Sequence, residues 1–349
     1  VKNIGSGAFS YCDKLENIVI PDTVADIGPN AFSGTAYYND ETNWRDNVLY
    51  LRKYLINADE NISGAYTIDD GTLLIADGAF WRCDKLTDIT IPNSVLNIGD
   101  SAFYRCESLM YMVIPDSIIS IGNNAFSNCT RLQYIVISDS VTNIGSRAFE
   151  NCSNMVDITI GHGVKFISDQ AFSGCDSLEN VYIKDIEAWL AIEYAGSTTS
   201  SPLYYASNLY LNGQLITELV IPEGVTSIGN FAFYNCSSLT SISIPDSVTY
   251  VGASAFNGCD SLQYNEYENA LYLGNQNNPR VVLIKIKDTS ITNFAISANT
   301  KIIYQYAFSD CTNLTNIIIP NSVTSIGGSA FSSCTSLASI VIPDSVTSI

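Results

Sequence analysis

The chain has 349 residues, of which 46% are hydrophobic, so it can bury a sizeable core and is not a disordered tail. Its 35 acidic and 16 basic side chains leave a net charge of −19, which argues against nucleic acid or an anionic membrane surface as the partner. The single histidine argues against histidine-based catalysis or a metal site of several histidines, and no apolar run reaches the roughly 18 residues of a spanning helix, so no membrane insertion is predicted.

From residue 9 onward the dipeptide Ala-Phe recurs, and it reveals an internal repeat. Its phenylalanines are Phe9, Phe32, Phe80, Phe103, Phe126, Phe149, Phe172, Phe233, Phe256, Phe308 and Phe331. Seven of the ten intervals between them are 23 residues, whereas the other three are 48, 61 and 52 residues. The long intervals predict irregular coils or inserts near residues 33–66, 184–216 and 264–294.

Each repeat has the general form IP-D-S-V-x-x-IG-x-x-AF-x-x-C-x-x-L-x-x-I-x-I. The alternation in L-x-x-I-x-I predicts a short half-buried strand, which Pro with Asp and Ser then ends and turns. V-x-x-I predicts a second extended piece, and A-F-x-x-C-x-x-L has inward positions three apart, which predicts a single helical or 3₁₀ turn. One coil cannot bury its own Phe, Cys, Leu and Ile, so neighbouring coils must stack.

A period of 23 residues with L-x-x-I-x-I is typical of a leucine-rich repeat. In detail, the IP-(D/N)-S-V-T-S-I stretches and AFSSC at 330–334 resemble the BspA-like (Treponema pallidum type) leucine-rich repeats over nearly the whole chain. The resemblance implies an α/β repeat solenoid, a curved right-handed superhelix of about 12–13 coils with short strands on its concave face. We therefore expect residues 1–349 to form a single solenoid. Both ends fall inside a repeat, so flanking sequence is expected.

All ten cysteines occupy one position of the repeat, three residues after the phenylalanine. They are Cys12, Cys83, Cys106, Cys129, Cys152, Cys175, Cys236, Cys259, Cys311 and Cys334, with Thr35 in the remaining slot. Disulfides and a metal stripe are the functional interpretations, but equivalent side chains in stacked coils point the same way and do not converge. A column of small buried side chains is favoured, so no metal and no cofactor is predicted.

A second column lies two residues after the isoleucine that ends each strand, and it is acidic in eight of twelve coils. Its members are Asp22, Asp70, Asn93, Asp116, Asp139, His162, Asp185, Glu223, Asp246, Ala298, Asn321 and Asp344. Turn chemistry is favoured, with each side chain accepting the N–H two residues on. Clustered carboxylates that bind a divalent cation are the alternative.

Two groups of residues are candidates for ligand contact. The first is on outward positions of the strands and consists of Tyr111, Tyr134 and Tyr182 with Met110, Gln133 and Asp157, because tyrosine is enriched at recognition surfaces. The second is in the insert and consists of Trp189, Tyr204 and Tyr205, since loops added to a rigid scaffold often carry function. The alternatives are that the first group only makes good strands and that the second packs the irregular coil, and packing is favoured for the insert.

No catalytic constellation is found, because P-loop, G-x-G-x-x-G, H-E-x-x-H and G-x-S-x-G motifs are all missing. We therefore predict a non-enzymatic protein-recognition scaffold. The family resemblance implies a secreted or cell-surface bacterial protein, an adhesin that binds host or bacterial proteins through the concave sheet. A carbohydrate-binding or targeting module of a larger surface protein and a passive spacer are the alternatives, so a glycan is a second possible partner.

Overall fold

The computed structural model describes all 349 residues and divides them into two compact units. Unit 1 comprises Val1–Lys184 and Ile192–Ala206, and unit 2 comprises Asp185–Ala191 and Ser207–Ile349. The single array over residues 1–349 stays a prediction. No helix in the chain is both long and apolar enough to cross a bilayer.

In unit 1 the L-x-x-I-x-I segments form parallel strands whose partners lie 23 residues apart, which we call the strand ladder. Its strands are Tyr111–Val113, Tyr134–Val136, Asp157–Thr159 and Asn180–Ile183, and Ser63–Thr67 pairs with Lys85–Thr90 in the same way. The inward side chains are Met112, Ile135, Ile158 and Val181. Polar residues, tyrosines and valines alternate with them outward, so the repeat period and the strand period agree. The predicted leucine-rich repeat solenoid is confirmed in this unit.

The V-x-x-I segments of unit 1 form a second sheet of nine strands. In chain order these are Trp44–Arg45, Val48–Leu51, Tyr54–Ala58, Leu74–Ile75, Asn97–Ile98, Ser120–Ile121, Asn143–Ile144, Phe166–Ile167 and Glu193–Tyr194. The first three pair antiparallel, and this hairpin forms the irregular coil predicted near 33–66. A two-stranded pair, Asn3–Ile4 with Asp26–Ile27, precedes it.

Unit 2 also contains short parallel strand pairs, but more of its coils are irregular. Its parallel pairs are Glu218–Val220 with Ser241–Ser243, Ser227–Ile228 with Tyr250–Val251, and Asn293–Ala295 with Asn316–Ile318. A five-stranded sheet contains Asn265–Tyr267, Ala270–Leu273, Val282–Ile286, Ile302–Ile303 and Ser325–Ile326. Asn208–Leu211 and Gln214–Leu215 form a hairpin. The hairpins fall on two of the intervals where the sequence departs from its period.

Helices are few and lie outside the regular repeat. The α-helices are Ala36–Asn39 and Ile186–Leu190, and the 3₁₀ helices are Glu41–Asn43, Thr198–Ser200 and Pro202–Tyr204. The helical turn predicted for each A-F-x-x-C-x-x-L segment is therefore wrong, because this part of each coil is a run of successive turns. We call it the turn segment, and it runs from the residue after the glycine of the repeated Ile-Gly pair to the cysteine, as in residues 100–106.

The turn segment is not a helix because its backbone N–H groups donate alternately to carbonyls of the same coil and to carbonyls of the next coil. The Tyr104 N–H donates within its own coil to the Ser101 carbonyl at 3.0 Å, whereas the Phe103 N–H donates to the Ala125 carbonyl of the next coil at 2.7 Å. A helix uses every N–H internally. Left-handed backbone at Ser101 and Arg105, with φ of 56° and 59°, turns alternate N–H groups outward. Each coil is thereby hydrogen-bonded to its neighbour along the turn segment as well as along the strands.

The core is built from stacked equivalents of the same residues. The rings of Phe80, Phe103, Phe126, Phe149 and Phe172 lie parallel within 12°, with centroids 5.1 to 5.5 Å apart. All five are fully buried. The stack supplies dispersion contacts between every pair of adjacent coils, which no single coil provides for itself.

Candidate functional site

The outward side chains of residues 110–182 on the strand ladder form one continuous surface, which we call the strand face. Tyr111 lies beside Tyr134 in register, and Asp157 and Asn180 continue the row. Tyr111 is 49% exposed and Tyr134 is 37% exposed, so both rings are available to a ligand. The sequence placed these two tyrosines together, and the structure does so as well.

Polar neighbours hold this row in place. The Tyr111 hydroxyl donates to Gln133 Oε1 at 3.5 Å, and the Asn180 amide donates to the Asp157 carboxylate at 2.7 Å. Met110 is half-buried at the edge of the row. The aromatic surface is therefore flanked by an amide and a carboxylate that already have fixed positions, which lowers the entropy cost of ordering them on binding.

Tyr182 lies apart from the tyrosine pair. It is in register with Thr159, Val136 and Val113, two residues along the strand from the row that contains Tyr111. Tyr182 is half-buried, whereas Val113 is 61% exposed. The predicted cluster of three tyrosines is thus a pair with a third ring farther along the same face.

The insert residues divide between packing and exposure. Trp189 is 2% exposed in unit 2, and its indole N–H donates to the Ala232 carbonyl at 2.8 Å, so it packs the insert and is not available as a surface contact. In unit 1 the Tyr205 hydroxyl accepts the Gly174 N–H at 2.7 Å. Tyr204 packs edge-on against Tyr205 and is 37% exposed. Of the three candidates, only Tyr204 presents a substantial part of its ring to solvent.

The cysteines are unpaired and eight of the ten are buried, with Cys12 exposed and Cys334 half-buried. Sequence reasoning missed a polar role for them. The thiol of Cys152 donates to the Phe126 carbonyl of the previous coil at 3.2 Å, and the same bond recurs 26 residues apart along the column. Burial raises the pKa of Cys129 to about 12, so the thiols stay neutral. The buried thiols thus add a second donor to carbonyls that already accept a backbone N–H within their own coil.

One member of the acidic column hydrogen-bonds to the next coil, whereas a turn within one coil was predicted. Asp139 accepts the backbone N–H of His162, its equivalent in the next coil, at 3.2 Å. In unit 2 Asp185 caps the helix Ile186–Leu190 by accepting the Ala188 N–H at 3.0 Å. No group of three or more His, Cys, Asp or Glu side chains in the chain lies close enough together to hold a metal ion.

A cavity of about 510 Å³ in unit 1 was not found from the sequence. It is lined by residues from four stretches, 28–33, 56–60, 77–81 and 100–101, together with Tyr38. The interval of 48 residues between Phe32 and Phe80 was the available signal, because it marks a missing turn segment. The burial of Trp189 and the opening of this cavity both depend on contacts between distant parts of the chain.

Comparisons with known proteins agree with this architecture. Residues 1–66, 73–190, 206–277 and 286–349 match the sequence model of the BspA type leucine rich repeat region, in six copies. A leucine rich cell surface protein from Faecalibacterium prausnitzii A2-165 is 28% identical, with 97% of this chain and 82% of that chain covered and a TM-score of 0.39. No curated protein matches the chain.

Two further solved structures are similar at lower identity. The leucine-rich repeat protein of T. pallidum is 21% identical, with 65% of this chain and 78% of that chain covered and a TM-score of 0.27. The pneumococcal vaccine antigen PcpA is 15% identical, with 87% of this chain and 92% of that chain covered and a TM-score of 0.36.

Proposed function

The chain belongs to the BspA-type leucine-rich repeat family, and we propose that it is a non-enzymatic scaffold that binds a protein ligand through the strand face. The observation that carries the proposal is the exposed tyrosine pair, Tyr111 and Tyr134, held side by side on a rigid parallel ladder. Tyrosine supplies a large contact area and a hydroxyl at little conformational cost, which is the chemistry enriched in protein interfaces.

The surface is also suited to a preformed mode of binding. In-register strands and two side-chain hydrogen bonds fix the positions of the contact groups before a ligand arrives. Many modest contacts then add up because little ordering remains to be done on association. The proposal includes a location at the bacterial cell surface or outside the cell, where such a scaffold acts as an adhesin for host or bacterial proteins.

The experiment measures adhesion of beads coated with the purified chain to cultured mucosal epithelial cells. Replacing both tyrosines, Tyr111→Ala with Tyr134→Ala, is expected to lower adhesion about tenfold or more, since truncating a central aromatic anchor costs about 2 kcal/mol or more. Tyr11→Ala is the matched control, because Tyr11 is 82% exposed but lies outside the strand face.

Treating the cells beforehand separates the classes of partner. Loss of adhesion after mild protease treatment, with retention after periodate oxidation of glycans, supports a protein ligand at the strand face. Adhesion that the double variant leaves unchanged overturns the assignment to this face. Absence of any adhesion by the unaltered chain, to epithelial cells and to other bacteria alike, would favour a passive spacer.

A further inference from the structure

In regular coils of unit 1, the outward N–H groups of every turn segment donate hydrogen bonds to the next coil. The N–H groups of Ser101, Phe103 and Arg105 donate to carbonyls of the following turn segment at 2.7 to 2.9 Å. The pattern is the same one coil later, where Phe126 donates to Ala148 at 2.8 Å. A turn segment therefore needs a neighbour on its C-terminal side to satisfy its backbone donors.

The turn segment that contains Phe32 has no following turn segment to accept these hydrogen bonds. The residues equivalent to the three donors above are Asn30, Phe32 and Gly34, and their N–H groups have no acceptor within the protein. Phe32 is only 1% exposed, so its N–H lies at the wall of the protein's interior rather than on the open surface. The irregular coil of residues 33–66 contributes a hairpin here and no turn segment, which leaves the cavity described above.

The opposite wall of the cavity is the turn segment that begins at Asp77. The two walls touch at one end, where the Asp77 N–H donates to the Ile27 carbonyl at 2.9 Å. They diverge toward Trp81, which lines the cavity and is 45% exposed. Gly78 lies between them without a side chain, and a Cβ placed there would be 3.8 Å from Trp81 and 3.9 Å from Pro29. The opening thus has backbone donors on one side and an indole on the other.

At the two other breaks in the repeat, the protein itself supplies an acceptor for the N–H of the phenylalanine. After Phe172 in unit 1, the insert supplies acceptors to the same three positions. Gln170 donates to Ser200 Oγ, Phe172 donates to the Thr199 carbonyl, and Gly174 donates to the Tyr205 hydroxyl.

In unit 2 the break after Phe256 is filled in part by Tyr304, whereas the N–H groups of the equivalent Ser254 and Gly258 have no acceptor within the protein. The Tyr304 hydroxyl accepts the Phe256 N–H at 3.3 Å, and its ring lies 6.0 Å from the Phe256 ring. Tyr304 corresponds to Ala76 of unit 1, because the N–H of each donates to the hairpin strand in the same way, Tyr304 to Leu283 and Ala76 to Leu55. Ala76 therefore has the backbone position from which a tyrosine reaches the phenylalanine N–H in the equivalent coil.

The chemistry of the open cavity is mixed. Carboxylates of Glu60, Asp77 and Asp100 line it, and none of its lining residues is lysine or arginine, although the Arg82 guanidinium lies 5.4 Å from the Trp81 ring. An anionic ligand would be repelled by these carboxylates, and a simple cation would leave the backbone donors unpaired. The cavity suits a ligand that both donates and accepts hydrogen bonds and has an apolar face.

Ring hydroxyls and the C–H face of a sugar meet all of these requirements. Tyr104 of the next coil stacks on Trp81 at 6.3 Å and 17°, which holds the indole as a platform. Burial, with the carboxylates of Asp26 and Asp100, raises the pKa of Asp77 to about 7, so this carboxyl can also donate a hydrogen bond near neutral pH. The volume of about 510 Å³ is within the range of small-ligand pockets.

We propose that this cavity binds an uncharged sugar residue of a glycan, with Trp81 as the stacking platform and the backbone N–H of Phe32 and the Asp77 and Glu60 carboxyls as hydroxyl partners. The site uses different residues from the strand face. It adds a glycan contact to a scaffold whose protein contact is elsewhere on unit 1, so either proposal can fail without the other.

The test is a glycan array of neutral, uronic-acid and sialylated oligosaccharides, followed by isothermal titration calorimetry with the strongest neutral binder. Ala76→Tyr is the principal variant, because it fills the cavity with the side chain that Tyr304 provides in unit 2, and it is expected to weaken binding at least about tenfold. Trp81→Ala, at a partly exposed position, removes the platform without filling the cavity and is expected to weaken binding as well. Tyr11→Ala is the control and is expected to bind as the unaltered chain does.

Three outcomes would overturn the proposal. The first is that the unaltered chain binds no neutral sugar at millimolar concentration. The second is that neutral-sugar binding survives both Ala76→Tyr and Trp81→Ala in protein with an unchanged circular dichroism spectrum. The third is that only acidic glycans bind, or that the diamine cadaverine, included as a cationic probe, binds while neutral sugars do not.

Discussion

The turn segments of residues 100–175 and the turn segment at residues 29–35 have the same sequence pattern but different neighbours. In the first region each coil accepts the N–H groups of the coil before it, and phenylalanine rings stack without a gap. In the second region the next turn segment is displaced by a hairpin, and a cavity opens beside Phe32. The same residues therefore build a closed core where the repeat is continuous and a ligand-sized opening where it is interrupted.

An interruption alone does not produce an opening, as the equivalent break in unit 2 demonstrates. There Tyr304 occupies the space and its hydroxyl accepts the otherwise unpaired N–H of Phe256. In unit 1 the corresponding Ala76 cannot do either. Buried backbone donors are costly to leave unpaired. The break after Phe32, where the phenylalanine N–H has no acceptor, is therefore the best candidate for a site shaped by function.

The largest effect is expected from breaking the ring stack. Phe126 is fully buried between rings 5.1 Å and 5.5 Å away, so Phe126→Ala should lower the free energy of unfolding by about 3–5 kcal/mol. Phe32 stacks on Phe9 alone and already borders a cavity, so Phe32→Ala should cost less. Urea denaturation of both variants measures the difference, and equal losses would contradict a closed stack in one region and an open one in the other.

An intermediate effect is expected in the cysteine column. Cys152→Ala removes the thiol that donates to the Phe126 carbonyl. That carbonyl keeps its hydrogen bond from the Cys129 N–H, so the loss of one hydrogen bond should cost about 0.5–1.5 kcal/mol. Cys12 is exposed, so Cys12→Ala should leave the unfolding midpoint unchanged. In the native protein a thiol reagent should label Cys12 quickly and the column slowly, and rapid labelling of all ten cysteines would rule out the buried column.

The smallest effect concerns the pH dependence of the cavity wall. The pKa of Asp77 is raised from 3.8 to about 7, so its protonated form contributes stability that is fully present below pH 3.8 and is lost as the pH rises through 7. Asp77→Asn keeps the acceptor for the Asp100 N–H, as Asn123 does for Ser146 in a regular coil. The variant should therefore melt at a higher temperature than the unaltered chain at pH 8 and at a similar temperature at pH 4.

Asp22 gives a control of opposite sign. Its hydrogen bond to Lys53 lowers the pKa of this carboxyl, so the stability it contributes is present above its ordinary pKa and is lost as the pH falls. Asp22→Asn should therefore lower the melting temperature at pH 8, or leave it unchanged because the pair is exposed, but it should not raise it. A rise for Asp22→Asn equal to that for Asp77→Asn would point to net charge as the cause.

The strand ladder and the buried columns were predictable because each depends on a single position repeated at one period. Ile135, for example, faces inward in its own strand and pairs with Ile158 in the next, so one alternation fixes both burial and register. The turn segment was predicted as a single helical or 3₁₀ turn because inward positions three apart suit both structures. Only the hydrogen bonds to the next coil distinguish them, as in Phe103, and these bonds join residues 22 apart in the chain.

Candidate site residues within the regular repeat were also predictable from the sequence, whereas those in the insert were not. The pairing of Tyr111 with Tyr134 followed from their separation of 23 residues, which is the repeat itself. The packing of Trp189 against Ala232 lies in an irregular stretch, where no period relates the two residues, and the sequence could only leave packing and exposure as alternatives. Aromatic side chains in inserts are apolar enough for a core and polar enough for a surface, so composition does not decide between them.

By itself the sequence determined the period, the inward columns and the strand register. In a short repeat, equivalent residues of successive coils stack on one another, so one coil predicts the contacts of the next. The tertiary structure decided which interruption stays open. That outcome depends on whether a side chain reaches across the gap, and Ala76 and Tyr304 occupy the same place in coils of similar pattern. The cavity near Trp81 exists because the repeat stops supplying backbone acceptors there and no side chain replaces them.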